Sequence, residues 1–307
     1  MLGKIKDIFC DRACYGLAYR RLTEESKSSP LVDLSRGGFS FVKPSRKYWY
    51  ADPMLLDYKD ATYVYAEQFD RLKKKGNIAV ARIDETGRIG KWKTVLSDSF
   101  HFSFPNVFLY KNDYYMIPET SEDKSVRIYK MQDNPFEWVM IKKYEISNCV
   151  DTSVFIEGET AYLLTCELNI DNPLETRFRL FSCQSFPDSE LVELPIQNID
   201  AYDKSTRNGG NFFFIGDRMF RIAQISVDTY YGKFFEIRKV KSCSEDGIDE
   251  ELIQRVDCSD IKYGLKPYFK VTGTHTYSRC REYEVVDLCG TYFSFGNLIN
   301  RLKKRAK

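Results

Sequence analysis

Residues 54–69 read MLLDYKDATYVYAEQF: a run of apolar, β-branched and aromatic positions, the polar pair Lys59-Asp60, then a second such run. Two strand-forming segments joined by a short polar turn predict a β-hairpin. The same phrase recurs at 106–119 (NVFLYKNDYYMIPE), 153–167 (SVFIEGETAYLLTCE) and 211–224 (NFFFIGDRMFRIAQ), each time strand, turn of Gly, Asn or Asp, strand. Residues 275–289 (HTYSRCREYEVVDLC) make a fifth, less regular copy. The residues opening the first four copies, Asp52, Asn106, Asp151 and Asn208, stand 54, 45 and 57 residues apart, near the ~40–50 residues of one propeller blade.

Third strands follow the hairpins (NIAVARIDE, SVRIYKM, RFRLFSCQ, FFEIRKV), and fourth strands follow some of those (WKTVL, WVMIKKY). The expected fold is therefore all-β, a five-bladed β-propeller over residues 41–295. Residues 1–28 carry apolar positions at helical spacing, which predicts a helical N-terminal extension within residues 1–40. Residues 296–307 form a short basic tail, NLINRLKKRAK from 297, expected to be helical and suited to peripheral contact with an anionic membrane.

Aromatic residues make up 15% of the 307-residue chain, which favours pleated strands. The formal net charge of +2 gives no global field to draw in nucleic acid. The opening MLGKIKDIF holds too short an apolar run for a signal peptide, and no stretch of about 18 apolar residues occurs, so a cytoplasmic protein, peripheral to the inner face of the membrane, is expected. The nine cysteines include no CxxC pair and read as free thiols, with Cys10 and Cys14 on a helix face. P-loop, Rossmann, nucleophile-elbow and HExxH signatures are missing, which removes nucleotide hydrolysis, dinucleotide redox and serine hydrolase chemistry. No cofactor and no metal are expected.

In a propeller the first strand of each blade lines the central channel, so residues opening successive blades converge. Here those openings are polar: Ala51-Asp52-Pro53, Phe104-Pro105-Asn106, Asp151-Thr152-Ser153, Arg207-Asn208-Gly209-Gly210 and Gly273-Thr274-His275-Thr276, joined by Glu67, Glu119, Glu167 and Gln224 at second-strand ends. Singly, each acid reads as a turn or cap residue. Repeated in every blade, they read as a sugar site, because packing has no use for a carboxylate there. Glycosyl transfer needs one carboxylate as base or nucleophile and a second that holds a proton, and Asp52, Glu119 and Asp151 are the catalytic candidates. Trp49, Glu67, His101, Asn106, Glu167, Arg207, Asn208, Gln224 and His275 are the substrate-binding candidates. Arg207 either pairs with an acid or binds a substrate phosphate or carboxylate. The RNGGN glycines permit a tight strand start or a close backbone approach to a ligand.

The segments YWYADP, HFSFPNVF, MIPET, VDTSVF, RNGGNFF and GTHTYS resemble the N-terminal domain of plant glucosamine inositolphosphorylceramide transferase and its bacterial relatives over about residues 40–290. The ADP segment more distantly resembles the five-bladed arabinanase, xylosidase and levansucrase group of glycoside hydrolases. The resemblance implies a five-bladed propeller acting on sugars, with Asp52 at the position of the base or nucleophile. In that group a second Asp tunes pKa and a Glu is the acid. Asp151 and Glu119 are the candidates here, although their blade order departs from the hydrolase pattern. The plant proteins carry a separate glycosyltransferase domain that this sequence lacks. The leading expectation is a glycosyltransferase of surface polysaccharide or glycolipid biosynthesis, with a sugar or nucleotide-sugar substrate and a glycan or glycolipid acceptor. The alternatives are a propeller glycoside hydrolase and a non-catalytic glycan-binding module.

Overall fold

The structure, a computed structural model, describes residues 10–196, 202–244, 246–261 and 269–293. Strands β3 (Tyr48–Tyr58), β4 (Ala61–Asp70), β5 (Lys75–Ile83) and β6 (Lys93–Leu96) form blade I, the hairpin quoted above being its inner half. Blade II is β7 (Ser103–Tyr110), β8 (Asp113–Glu119), β9 (Val126–Met131) and β10 (Trp138–Tyr144). Blade III is β11 (Cys149–Glu157), β12 (Thr160–Leu168), β13 (Thr176–Cys183) and β14 (Val192–Leu194). Blade IV is β15 (Phe213–Ile215), β16 (Arg218–Val227), β17 (Tyr230–Ser244) and β18 (Gly247–Val256).

Blade V is assembled from both ends of the chain. β19 (Phe269–Gly273) and β20 (Tyr277–Arg279) pair with β21 (Tyr283–Phe293), which pairs in turn with β1 (Cys10–Arg21) and, through it, with β2 (Ser40–Val42). This corrects the expected N-terminal helix: residues 10–21 are a strand, and the one α-helix among the described residues is α1 (Glu24–Ser28). The reason is burial on both faces. Leu17, Ala18 and Tyr19 are all buried, so the alternation that marks a half-buried strand is lost. Arg20 is buried too, its guanidinium donating to Glu284 at 2.6 Å and to the carbonyls of Asp33 and Gly37 at 2.8 Å. Gly16 permits the β1–β2 approach, since a Cβ there would lie 2.8 Å from the Val42 carbonyl. The expected C-terminal helix falls outside the described residues.

The core is five layers, each between two neighbouring blades. Met54, Tyr65 and Ile78 of blade I pack with Phe102, Phe104 and Met116 at blade II; Ile117 and Ile128 pack with Val154 and Leu163. Phe155 and Leu180 meet Phe212 and Val240, Ile222 and Phe235 meet Tyr277 and Val286, and Leu17 and Val285 meet Leu55 and Val64. Each such side chain removed from water stabilises the fold by about 1.5–3 kcal/mol. Because both faces of a blade are covered, β4 and β5 read as apolar runs.

The inner strands of blades I to III share one irregularity. Pairing slips between Ala51 and Met54, between Ser103 and Asn106, and between Val150 and Ser153. Asp52, Phe104 and Asp151, at the bulges, have φ of 48°, 42° and 49°. A bulge re-aims the side chain it carries. It follows that the blade II counterpart of Asp52 is Phe104, not Asn106. In blade IV the glycines serve blade packing: a Cβ on Gly209 would lie 2.5 Å from the His275 carbonyl, and one on Gly210 would lie 2.0 Å from that of Tyr277. Among the described residues no helix is long and apolar enough to cross a membrane.

Candidate active site

At one end of the channel the strand starts of blades I and II, the second-strand ends and the openings of blades III to V enclose a cavity of about 240 Å³. Asp52, Glu67, Glu119, Asp151, Arg207, His101 and His275 line it, with Trp49, Phe69, Tyr15 and Tyr231 as aromatic walls. Trp49 stacks on Phe69 with ring centres 4.4 Å apart. Tyr15 reaches in from β1, 5.1 Å from both Trp49 and His275.

Asp52 is held by two hydrogen-bond donors and a cation. The Thr276 hydroxyl donates to its Oδ1 at 3.0 Å and the Phe104 N–H to its Oδ2 at 3.2 Å, while His275 Nε2 lies 3.3 Å from Oδ1. Behind the imidazole, Asp287 Oδ2 stands 2.6 Å from His275 Nδ1, and Asp287 Oδ1 accepts the backbone N–H groups of His275 and Thr276 at 2.9 and 3.1 Å. Burial depresses the imidazolium, but Asp287, Asp52 and Asp151 outweigh it and raise His275 to about 9. Burial pushes Asp52 up to about 6 against the pull of His275.

Glu67 sits opposite Ala51 on the paired strand. Its Oε1 faces His101 Nε2 at 3.3 Å, and His101 Nδ1 accepts the Gly76 N–H at 3.0 Å. Burial pushes Glu67 up to about 7, with His101 opposing. Across the cavity, Arg207 Nε donates to Asp151 and Nη2 lies 3.7 Å from Glu119. Burial pushes Asp151 up to about 7 against the pull of Arg207, with the neighbouring Glu119 adding to the rise. Arg207 also lies over the Tyr231 ring, 5.0 Å from its centre.

The model of the family described as "Glucosamine inositolphosphorylceramide transferase 1, N-terminal" matches residues 40–264 of this chain. The chain belongs to that family. Family relatives include the protein named Glucosamine inositolphosphorylceramide transferase 1 from Oryza sativa subsp. indica, 27% identical over 204 residues, which are 65% of this chain and 27% of that protein. The Arabidopsis thaliana protein of the same name is 24% identical over 204 residues, covering 64% of this chain and 26% of its own. The chain thus spans about a quarter of the length of the curated relatives it matches. The family match takes in blades I to IV, whereas Tyr15, His275 and Asp287, all from blade V, lie outside it.

Solved structures share the fold. The catalytic domain of Coprinopsis cinerea GH62 alpha-L-arabinofuranosidase superposes with a TM-score of 0.55 at 11% identity, covering 90% of this chain and 97% of that one. A family 117 glycoside hydrolase from Zobellia galactanivorans gives 0.52 at 11% identity, covering 91% and 92%.

Of the residues singled out from sequence, Trp49, Asp52, Glu67, His101, Glu119, Asp151, Arg207 and His275 come together in the cavity. Four do not line it. Asn106 is buried beneath the channel wall and donates to Asn211 at 2.7 Å. Asn208 ties blade IV to blade III, donating to the carbonyls of Asp151 and Leu164 at 2.8 and 2.9 Å. Gln224 is buried next to Tyr231. Glu167 lies in a different groove, paired with Arg177 at 2.8 Å. Its displacement has a simple cause. Glu67 and Glu119 face Ala51 and Ser103, immediately before the bulge residue, but in blade III the residue facing Val150 is Cys166, so Glu167 falls on the other face.

Sequence reasoning missed Tyr15, Tyr231 and Asp287. The detectable signal for Asp287 is one acid inside the apolar run YEVVDLC. Asp52, His275 and Asp287 also bring ligand-type atoms within 4.8 Å of one another. Both ring nitrogens of His275 face carboxylates, so the imidazole bridges Asp52 and Asp287.

Proposed function

We propose that the channel-mouth cavity is a carbohydrate-active site that takes one sugar residue and acts on its glycosidic bond, with Asp52 as base or nucleophile and Glu67 as proton donor. The observation carrying this reading is that two carboxylates on paired strands of one blade are set in different environments. Asp52 accepts two hydrogen bonds, from Thr276 and the Phe104 N–H, and faces an imidazolium, which favours its ionised form. Glu67 faces a single imidazole nitrogen and is raised to about 7 by burial, so it carries a proton part of the time near neutrality. Such a difference is what assigns acid and base in glycosidic chemistry. The leaving oxygen takes the Glu67 proton as its bond to the anomeric carbon breaks. Asp52 either takes the proton of an incoming hydroxyl as that oxygen bonds to the anomeric carbon, or bonds to the anomeric carbon itself, and the resulting ester is then released by a hydroxyl whose proton passes to the Glu67 carboxylate. The Trp49–Phe69 stack gives a sugar ring an apolar wall, and the Arg207-braced Asp151 and Glu119 accept from its hydroxyls.

The volume, about 240 Å³, is below the ~300–1,000 Å³ of pockets for drug-sized ligands. It suits one sugar ring better than a nucleotide sugar with an acceptor. Arg207, the guanidinium in position for a donor phosphate, is already engaged by two carboxylates. Both points support a glycoside as the sugar source. The second reading, transfer from a nucleotide sugar in polysaccharide or glycolipid assembly, is favoured by the word transferase in the relatives' name.

The test is anomeric-proton NMR of the protein with a panel of glycosides, oligosaccharides and nucleotide sugars, alongside Asp52→Asn. Turnover of a glycoside that Asp52→Asn abolishes supports the first reading. Turnover confined to a nucleotide sugar moves the assignment to the second, and binding without turnover makes the chain a glycan-binding module.

A further inference from the structure

Two loops on the mouth side of blade I carry a charge pattern the cavity does not use. β3 and β4 are paired at Tyr48 with Asp70 and at Trp49 with Phe69. Segments 43–47 and 71–75 therefore emerge side by side, next to the cavity-lining Trp49 and Phe69. The Arg71 N–H donates to the Lys47 carbonyl at 2.9 Å and its guanidinium to the Ser45 carbonyl at 2.5 Å, fastening the loops together. Asp70 accepts the N–H groups of Leu72 and Lys73 at 2.9 and 3.0 Å, which fixes the turn.

On this frame Lys43, Arg46, Lys47, Lys73 and Lys74 are exposed. Leu72, 47% exposed, stands among them. Some surface lysines elsewhere, among them Lys111, Lys130, Lys142 and Lys143, have a carboxylate within 4 Å. Lys43, Lys73 and Lys74 have none in that range among the described residues. The corresponding loop of blade III carries Asp171 and Glu175, and that of blade II carries Glu122 and Asp123 beside Lys124, with Asp123 paired to Arg127 and Lys143.

We propose that the blade I rim docks on an anionic lipid surface, turning the cavity mouth toward the membrane so that the sugar of a membrane-anchored glycolipid can enter. The cations would meet lipid phosphates and carboxylates while Leu72 enters the interface, a combination that suits a bilayer. A soluble phosphate would use the lysines and leave Leu72 idle. The blade III loop with Asp171 and Glu175 is repelled by the same surface, which tilts the propeller onto blade I. The purpose assigned to docking rests on the sugar-site reading; the docking itself does not.

The experiment is co-sedimentation of the full chain with vesicles of phosphatidylcholine, alone or containing roughly one-third phosphatidylserine, at low and high salt. The expected result is binding to the anionic vesicles only. It falls about 100-fold in the combined variant Lys43→Gln, Lys73→Gln, Lys74→Gln, about 5-fold per cation, and is weakened by Leu72→Gln. Lys241→Gln, on the outer part of blade IV, binds as wild type. Asp52→Asn binds as wild type whether or not it turns over a sugar, which separates failure of docking from failure of the sugar site. Equal binding to pure phosphatidylcholine overturns the proposal. So does a triple variant that sediments like wild type, which moves the contact to another segment such as the basic tail. Binding of inositol hexakisphosphate without vesicle retention overturns it too and reassigns the patch to a soluble phosphate.

Discussion

Asp52 and Asp151 occupy the same place in two blades, and the backbone treats them alike. Each sits at an inner-strand bulge, with φ of 48° and 49°, and each is aimed into the channel. They differ in the cation that a neighbouring blade supplies. Blade V gives Asp52 an imidazole backed by Asp287; blade IV gives Asp151 a guanidinium shared with Glu119. Arginine stays charged at any working pH, whereas an imidazole can exchange its proton. The repeat thus fixes where a carboxylate points, and the neighbouring blade decides what it can do. Asp52 can take part in proton transfer, while Asp151 is braced.

Substituting the two in parallel tests this most strongly. Asp52→Asn is expected to lower kcat about 10³-fold, within the usual range for a lost acid–base or nucleophilic group, while leaving the melting temperature unchanged or higher. Asp151→Asn is expected to cost about 3 kcal/mol of stability, because Arg207 keeps its burial and loses its closest partner. Equal activity losses with equal stabilities would end the distinction. Asp287→Asn probes the backing residue. With it gone, His275 falls from about 9 toward neutrality and ceases to offset the burial of Asp52, since the attraction of His275 outweighs the repulsion of Asp287. Activity should drop about 10-fold, and the acid limb of the kcat profile should move to higher pH.

The pH profile itself sharpens the roles. Asp52 must be ionised, so activity falls below about pH 6; Glu67 must be protonated, so it falls above about pH 7. In Glu67→Gln the alkaline limb should vanish along with most of the activity. Stability moves the other way. The folded-state pKa of Glu67 is raised above its ordinary value, so its stabilising contribution is complete below about pH 4.5 and is lost as pH rises through about 7. Glu67→Gln is therefore expected to be more stable than wild type at pH 8, by about 1–3 kcal/mol, with the gain shrinking at pH 5. Denaturant melts at both pH values measure it.

Much of this fold was legible because hairpins are local: both strands and their turn lie within some sixteen residues, as in 54–69. Blade V was only half legible, since the partner of β1 lies near residue 290 and two-faced burial hides its period. The carboxylates of blades I and II could be read from their strand-end positions. Register decided the failures. Asn106 was matched to Asp52, although aligning Pro53 with Pro105 identifies Phe104 as the counterpart. Tyr15 was hidden by the helical reading of its strand. Asp287 looked like a polar interruption because its partners, His275 and Thr276, carry meaning only once the blade is closed.

Glu167 gives the finest test of how far the repeat can be trusted. It ends its strand as Glu67 and Glu119 end theirs, yet a register difference of one residue places it opposite Cys149 and turns it to Arg177. That pair is partly exposed, Arg177 being 38% accessible, and such pairs contribute about 0–1 kcal/mol. Glu167→Gln should therefore change stability by no more than about 0.5 kcal/mol and leave kcat and KM as in wild type, in contrast to Glu67→Gln. A loss of activity beyond about 10-fold would mean that the sugar extends past Cys166 onto the blade III rim, making the site longer than one residue. Unchanged kinetics would instead support the view that strand register, more than residue type at a strand end, selects which acids of a propeller face the channel.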